Sequence, residues 1–123
     1  MVWILRPGPE VLLLRRPERR GGGEHPVTGK AHDGEPPADC AVREALEETG
    51  LRGVLVDLQF LHRYRGKKRD LEEHAFLLRV ADGSMPAISS EHIDSRWVSP
   101  ADARAALEWA AHREALALAL AAY

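Results

Sequence analysis

The chain has 123 residues, 45% of them hydrophobic, and a net charge of −2. That is the length of one domain with material for one ordinary core, and the near-neutral charge gives no general case for binding nucleic acid polymers or a membrane surface. A single cysteine, Cys40, rules out an internal disulfide and points to a reducing compartment, so a cytoplasmic protein is expected.

The opening MVWILRPGPE breaks at Pro7-Gly8 and has no signal-peptide pattern. Residues 2–6 and 11–15 read as two strands joined by a turn at Pro7-Gly8-Pro9-Glu10. A basic, glycine-rich loop follows over 15–24, and 25–28 reads as a short strand. The next run, residues 29–51, is GKAHDGEPPADCAVREALEETGL. Its second half reads as a helix over 40–49, with Asp39 as N-cap and Gly50 as the left-handed residue that ends it. On that helix Glu44, Glu47 and Glu48 share one face. Behind them either Ala41, Ala45 and Thr49 or Val42, Leu46 and Thr49 can pack. Three carboxylates on one stripe repel each other unless a cation joins them. Mg2+ suits such a hard-oxygen site, with Mn2+ as the alternative, and chemistry on phosphates follows from that choice. The glycine at Gly29 lets the loop backbone approach the acids closely.

Beyond the helix, 51–58 reads as strand and 59–64 extends or follows it. A polar turn at 65–70 leads to a strand over 71–80, a turn at 82–86 and a short strand at 96–98 that places Trp97. Ser99-Pro100-Ala101-Asp102 is a helix start: a capping serine, proline at the first position, then an acid. The helix is expected to run toward Tyr123, with Trp109, Leu116, Leu120 and Tyr123 at core spacing. Its end is apolar on more than one face. That fits either packing on the sheet or a subunit contact in a homodimer. Its apolar stretch, 115–122, is too short to span a bilayer. Mixed strands with helices give an α/β sandwich.

The run 29–51 matches G-x5-E-x7-R-E-U-x-E-E-x-G-U, with U apolar, at Gly29, Glu35, Arg43, Glu44, Glu47, Glu48, Gly50 and Leu51. Ala45 fills the first U position with a smaller residue than usual. A chance match in a chain this short is roughly one in ten million or rarer. This run resembles the Nudix box of the Nudix hydrolases (MutT-like). The resemblance implies one Nudix domain over 1–123 with the box at 29–51. It also implies an α/β/α sandwich with a mixed β-sheet, the box as loop–helix–loop and a C-terminal helix. The activity implied is metal-dependent hydrolysis of a phosphoric anhydride in a small-molecule substrate. Val27-Thr28-Gly29, Glu91-His92, Trp97, Ala101-Asp102 and Trp109 are similar to the bacterial dihydroneopterin triphosphate pyrophosphatases, as are His62-Arg63-Tyr64, Glu73 and Phe76. A nucleoside or pterin triphosphate cleaved to a monophosphate and pyrophosphate is the substrate implied. ADP-ribose, diadenosine polyphosphates and oxidised dNTPs are the alternatives, as is a Nudix fold that binds nucleotide without cleaving it.

From the resemblance, Glu47 and Glu48 are expected to bind metal, with Glu44 next and a backbone carbonyl at Gly29. Arg43 is expected to orient a box carboxylate, and Glu35 to tie the loop to the helix. Glu91 is the candidate base or further ligand, with Glu72 and Glu73 competing. Arg15 or Arg16 is expected on phosphate, with Thr28, Lys30 and Glu73 near the substrate. The cluster Arg63, Arg65, Lys67, Lys68 and Arg69 reads as a solvated turn. The six histidines show no zinc spacing. Trp3 and Trp97 read as core.

Overall fold

In a computed structural model describing residues 1–123, six strands form one mixed sheet with helices on both faces. Strands β1 (Val2–Arg6) and β2 (Glu10–Arg15) are the expected hairpin, paired antiparallel at Leu5 with Val11. Strand β3 (Glu24–His25) is shorter than expected, and Val27 joins the sheet through a lone bridge to Val2. Strand β4 (Val54–Arg65) and β5 (Asp70–Arg79) form a long antiparallel hairpin. The two expected stretches of β4 are one strand with a bulge at Gln59, whose φ is 56° and whose N–H donates to Asp57 Oδ1. β1 lies parallel to β5, the only parallel pair in the order β3-β2-β1-β5-β4. Strand β6 (Asp94–Val98) runs antiparallel along β2, on the side away from β1 and β3.

The alternation of β1 and β2 sends side chains to two cores. Trp3, Leu5, Val11 and Leu13 pack with Leu77, Leu107 and Leu116 on one face. Val2, Ile4, Leu12 and Leu14 pack with Phe76, Leu78, Ala41 and Ala45 on the other. Helix α1 (Pro37–Thr49) covers the second face. Of its two expected apolar stripes, Ala41, Ala45 and Thr49 are inside, while Val42 and Leu46 are exposed. Asp39 is not the N-cap. The helix starts at Pro37, whose missing N–H needs no cap, and Asp39 sits in the first turn, where its charge suits the helix dipole. Gly50 ends the helix at φ 71° and donates its N–H to Leu46 O.

The expected single C-terminal helix is two: α2 (Pro100–Ala106) and α3 (Ala110–Ala122). Ser99 caps α2 by accepting from the Asp102 N–H at 3.1 Å. The chain then turns extended at Leu107, whose side chain is buried on the first core and whose carbonyl accepts from Arg113 Nη1. Trp109 is left 67% exposed, a correction to its expected place in the core. Leu116 is buried as expected, and Tyr123 is exposed beside Arg79. Trp3 is buried; Trp97 is half-buried under the Arg6 guanidinium, 4.3 Å from its ring centre. No helix is long and apolar enough to cross a membrane.

Candidate active site

The loop 29–36 and α1 are joined by one guanidinium. Arg43 donates Nε and Nη2 to the two oxygens of Glu35 at 2.8 and 2.9 Å, a forked pair. Its Nη1 reaches Glu44 Oε1 at 2.8 Å and Glu47 Oε2 at 3.1 Å, and Nη2 also donates to the Lys30 carbonyl at 3.0 Å. The principal partner of Arg43 is therefore Glu35, eight residues back, rather than Glu47, four residues on. The Arg43 hydrogen bonds, with the His32 N–H behind them, hold the Glu35 carboxyl down at about 2. Hydrogen bonding to Glu35 and Glu44 raises Arg43 further above its ordinary range. Gly29 presses on the same cluster: a Cβ there would lie 2.1 Å from the Glu44 carboxyl carbon.

Glu48 takes no hydrogen bond from Arg43 and is 4% exposed. Its Oε2 has no hydrogen-bond partner, and Oε1 lies 3.9 Å from His92 Nε2. Burial, and behind it the charges of Glu44 and Glu91, push this carboxyl up to about 8. It lines a polar cavity of about 360 Å3 together with Arg16, Arg20, Thr28, Glu91 and His92. Backbone bonds set that grouping. Ala87 N–H donates to Thr49 O and Ser89 N–H to Glu48 O, so the loop carrying Glu91 is strapped along the end of α1. Arg16 Nη2 donates to Thr28 Oγ1 at 2.8 Å in the same lining.

Behind Glu48 lies a pair of buried histidines that the absence of zinc spacing left unremarked. His25 and His92 face each other with Nε2 atoms 3.2 Å apart. His25 Nδ1 is 2.5 Å from the Pro26 carbonyl, so it carries the hydrogen, and His92 Nε2–H donates to His25 Nε2. Burial first, and then the Arg16 charge, lower His25 to about 3 and shift His92 in the same direction. The two residues lie 67 apart in sequence, and only the Glu91-His92 likeness hinted at either.

The expected residues therefore divide. Glu48, Glu91, Arg16 and Thr28 share one cavity; Gly29, Lys30, Glu35, Arg43, Glu44 and Glu47 form the adjoining loop–helix network. Arg15 is elsewhere, lining a separate cavity with Glu24, Asp94 and Arg96, because strand alternation turns it to the opposite face from Arg16. Glu73 lies next to Thr28 and Arg16 in a further cleft. Arg63 and Arg65 pair with Glu72 and Asp70 across the β4–β5 hairpin.

The site fits a divalent cation in its donor chemistry. Glu48 supplies a buried oxygen without a partner, and Glu44 and Glu47 each keep an oxygen that Arg43 does not use. As they lie, no three acid, imidazole or thiol groups gather about one point.

The NUDIX domain family model matches residues 1–119. The octanoyltransferase of Myxococcus xanthus is 41% identical over 97 residues, 74% of this chain, which spans about a quarter (27%) of that protein's length. In fold, the chain is similar to an Ap4A hydrolase of C. elegans in a binary complex, with a TM-score of 0.83 at 23% identity, covering 99% of this chain and 96% of that one. It is also similar to the E. coli dihydroneopterin triphosphate pyrophosphohydrolase, with a TM-score of 0.78 at 22% identity over 94% and 91%. With its complete box, its mixed sheet between helices and the match to 119 residues, the chain belongs to the NUDIX domain family.

Proposed function

We propose that this chain cleaves a nucleoside or pterin triphosphate to a monophosphate and pyrophosphate. The observation that carries the reading is Glu48: a buried carboxyl with an unpartnered oxygen, opening on a polar cavity that also holds two arginines and a second acid. A buried acid without a partner is costly unless a ligand completes it. Glu48, with the free oxygens of Glu44 and Glu47, would hold Mg2+ or Mn2+. The bound cation would neutralise phosphate charge and lower the pKa of a water.

The chain's own residues account for the rest. Arg16 and Arg20 face the cavity and bind the phosphates. Arg43 clamps Glu35, Glu44 and Glu47, so the carboxylates keep their places when substrate enters. Glu91 lines the same cavity as Glu48 and is the group that takes a proton from the attacking water. The name of the Myxococcus protein suggests acyl transfer, but this chain spans only about a quarter of that protein's length.

The test is product analysis of a panel comprising dihydroneopterin triphosphate, the dNTPs, 8-oxo-dGTP, ADP-ribose and Ap4A, with Mg2+, Mn2+ or EDTA. Monophosphate and pyrophosphate from a triphosphate, lost in EDTA, is the expected result. Cleavage confined to ADP-ribose or Ap4A would move the activity to another Nudix substrate. Tight binding with no product would make the domain a nucleotide sensor.

A further inference from the structure

A second cleft lies next to the phosphate cavity, on the α3 side of the sheet. It has a volume of about 570 Å3 and shares Arg16 and Thr28 with the first cavity. Those two residues, bonded at 2.8 Å, form the partition between a wholly polar chamber and one with aromatic walls. On one wall His62 and Tyr64 are stacked, with ring centres 5.2 Å apart and an 18° tilt. Trp109 also lines the cleft. It is 67% exposed and stands in the break between α2 and α3. An exposed tryptophan beside an existing aromatic stack is surface suited to a planar ring. Glu73 sits directly across β4 and β5 from His62 and is the only carboxylate lining the cleft. It makes no direct hydrogen bond; the nearest cation is the Met1 amine, 3.8 Å from Oε2.

We infer that this cleft binds the heterocycle of the substrate, stacked by Trp109 against the His62–Tyr64 wall, and that Glu73 selects a ring with two adjacent N–H donors. The inference rests on the triphosphate reading above and names which ring the triphosphate carries. The two carboxylate oxygens accept from a ring N–H and the neighbouring amino group of a 2-amino-oxopyrimidine edge. Guanine and pterin both present that edge. Adenine presents one amino group beside a ring nitrogen lone pair, which would face a carboxylate oxygen with no hydrogen between them. A polar site that meets the wrong edge discriminates more strongly than an apolar pocket does. The shared arginine and threonine put the phosphates on one side of the partition and the ring on the other.

Two measurements test this. In the first, kcat/KM is compared for dGTP, dihydroneopterin triphosphate, dATP and ribose 5-triphosphate, which has no ring system. The wild-type protein should prefer dGTP or dihydroneopterin triphosphate to dATP by about tenfold or more, and the larger of the two values identifies the source of the ring. Trp109→Ala should cut the ratio of the preferred substrate to ribose 5-triphosphate by about tenfold or more, the scale of a lost base–aromatic stack. Glu73→Gln, whose amide offers one donor and one acceptor, should narrow the gap to dATP. A wild-type preference for dATP, or an unchanged ratio in Trp109→Ala, overturns the proposal. In the second, guanosine and neopterin are titrated in EDTA while tryptophan fluorescence is followed. Saturable quenching that disappears in Trp109→Phe supports the ring site even if no substrate is cleaved, so failure of the hydrolysis reading is told apart from failure of the cleft. No quenching by either compound, with dGTP cleaved normally, counts against the cleft alone.

Discussion

Glu48 and Arg43 are neighbours in the same motif with opposite environments. Arg43 is satisfied on every side, by Glu35, Glu44, Glu47 and the Lys30 carbonyl, whereas Glu48 is buried with one oxygen unmet. The first arrangement fixes geometry and the second awaits a ligand. Arg43→Lys keeps the charge but cannot form the fork on Glu35. It should lower the melting temperature and reduce kcat, as circular dichroism melts and steady-state rates would reveal. Gly29→Ala places a methyl group where the Glu44 carboxyl stands. Displacing that acid by about 1 Å should reduce kcat/KM about 100-fold, with the melting temperature little changed.

The Glu48 carboxyl also gives a pH signature. Its folded value, about 8, lies above its ordinary 4.5, so the folded chain holds this proton over a range in which the unfolded chain has lost it. The contribution of Glu48 to the stability of the metal-free protein should therefore fall as pH rises from about 4.5 to about 8, then level off. The buried His25 acts oppositely at lower pH: held near 3 against an ordinary 6.5, it contributes stability that is lost as pH falls through that window. Melts in EDTA across pH 4–9, compared between wild type and Glu48→Gln, isolate the first effect. An identical pH slope in the variant would remove Glu48 as its source.

At the scale of the elements, the box helix and the sheet were legible because their signals are local. Gly50 marks the end of α1, whose start the sequence put at Asp39 rather than Pro37, and unbroken apolar runs mark β1 and β2, which are buried on both faces. The break between α2 and α3 was not legible. No glycine or proline stands at residues 107–109, and helical propensity runs through them. Burial of Leu107 in the first core turns the chain there, a tertiary effect that local sequence does not carry. The same break brings Trp109 out to the cleft. Leu107→Ala should thus cost about 2–5 kcal/mol in denaturant unfolding, the usual range for a core leucine. It should also weaken any substrate that depends on Trp109.

For the whole molecule, the sheet is what assembles the site. The residue just past β2, Thr28, the last turn of α1 and the loop between β5 and β6 meet, so Arg16, Thr28, Glu48 and Glu91 converge from four separate segments. The motif identified the box residues and the family, because their spacing is contained in one loop and one helix. It could not choose between Arg15 and Arg16, since Arg15 ends β2 and Arg16 follows it directly, and only the structure shows which cavity each lines. Arg16→Ala should raise KM for a triphosphate about tenfold, the scale of one lost charge-assisted hydrogen bond, while Arg15→Ala should stay within about twofold. Equal effects of the two substitutions would mean that the phosphates do not lie in the cavity with Glu48.

The most direct test of the account is the rate of Mg2+-dependent pyrophosphate release by the wild-type chain and by Glu48→Gln, with both shown to be folded by circular dichroism. The account predicts loss of about a thousandfold or more in kcat, in keeping with removal of a principal electrostatic group from an active site, at an unchanged or higher melting temperature. Turnover close to wild type in a folded Glu48→Gln protein would contradict it.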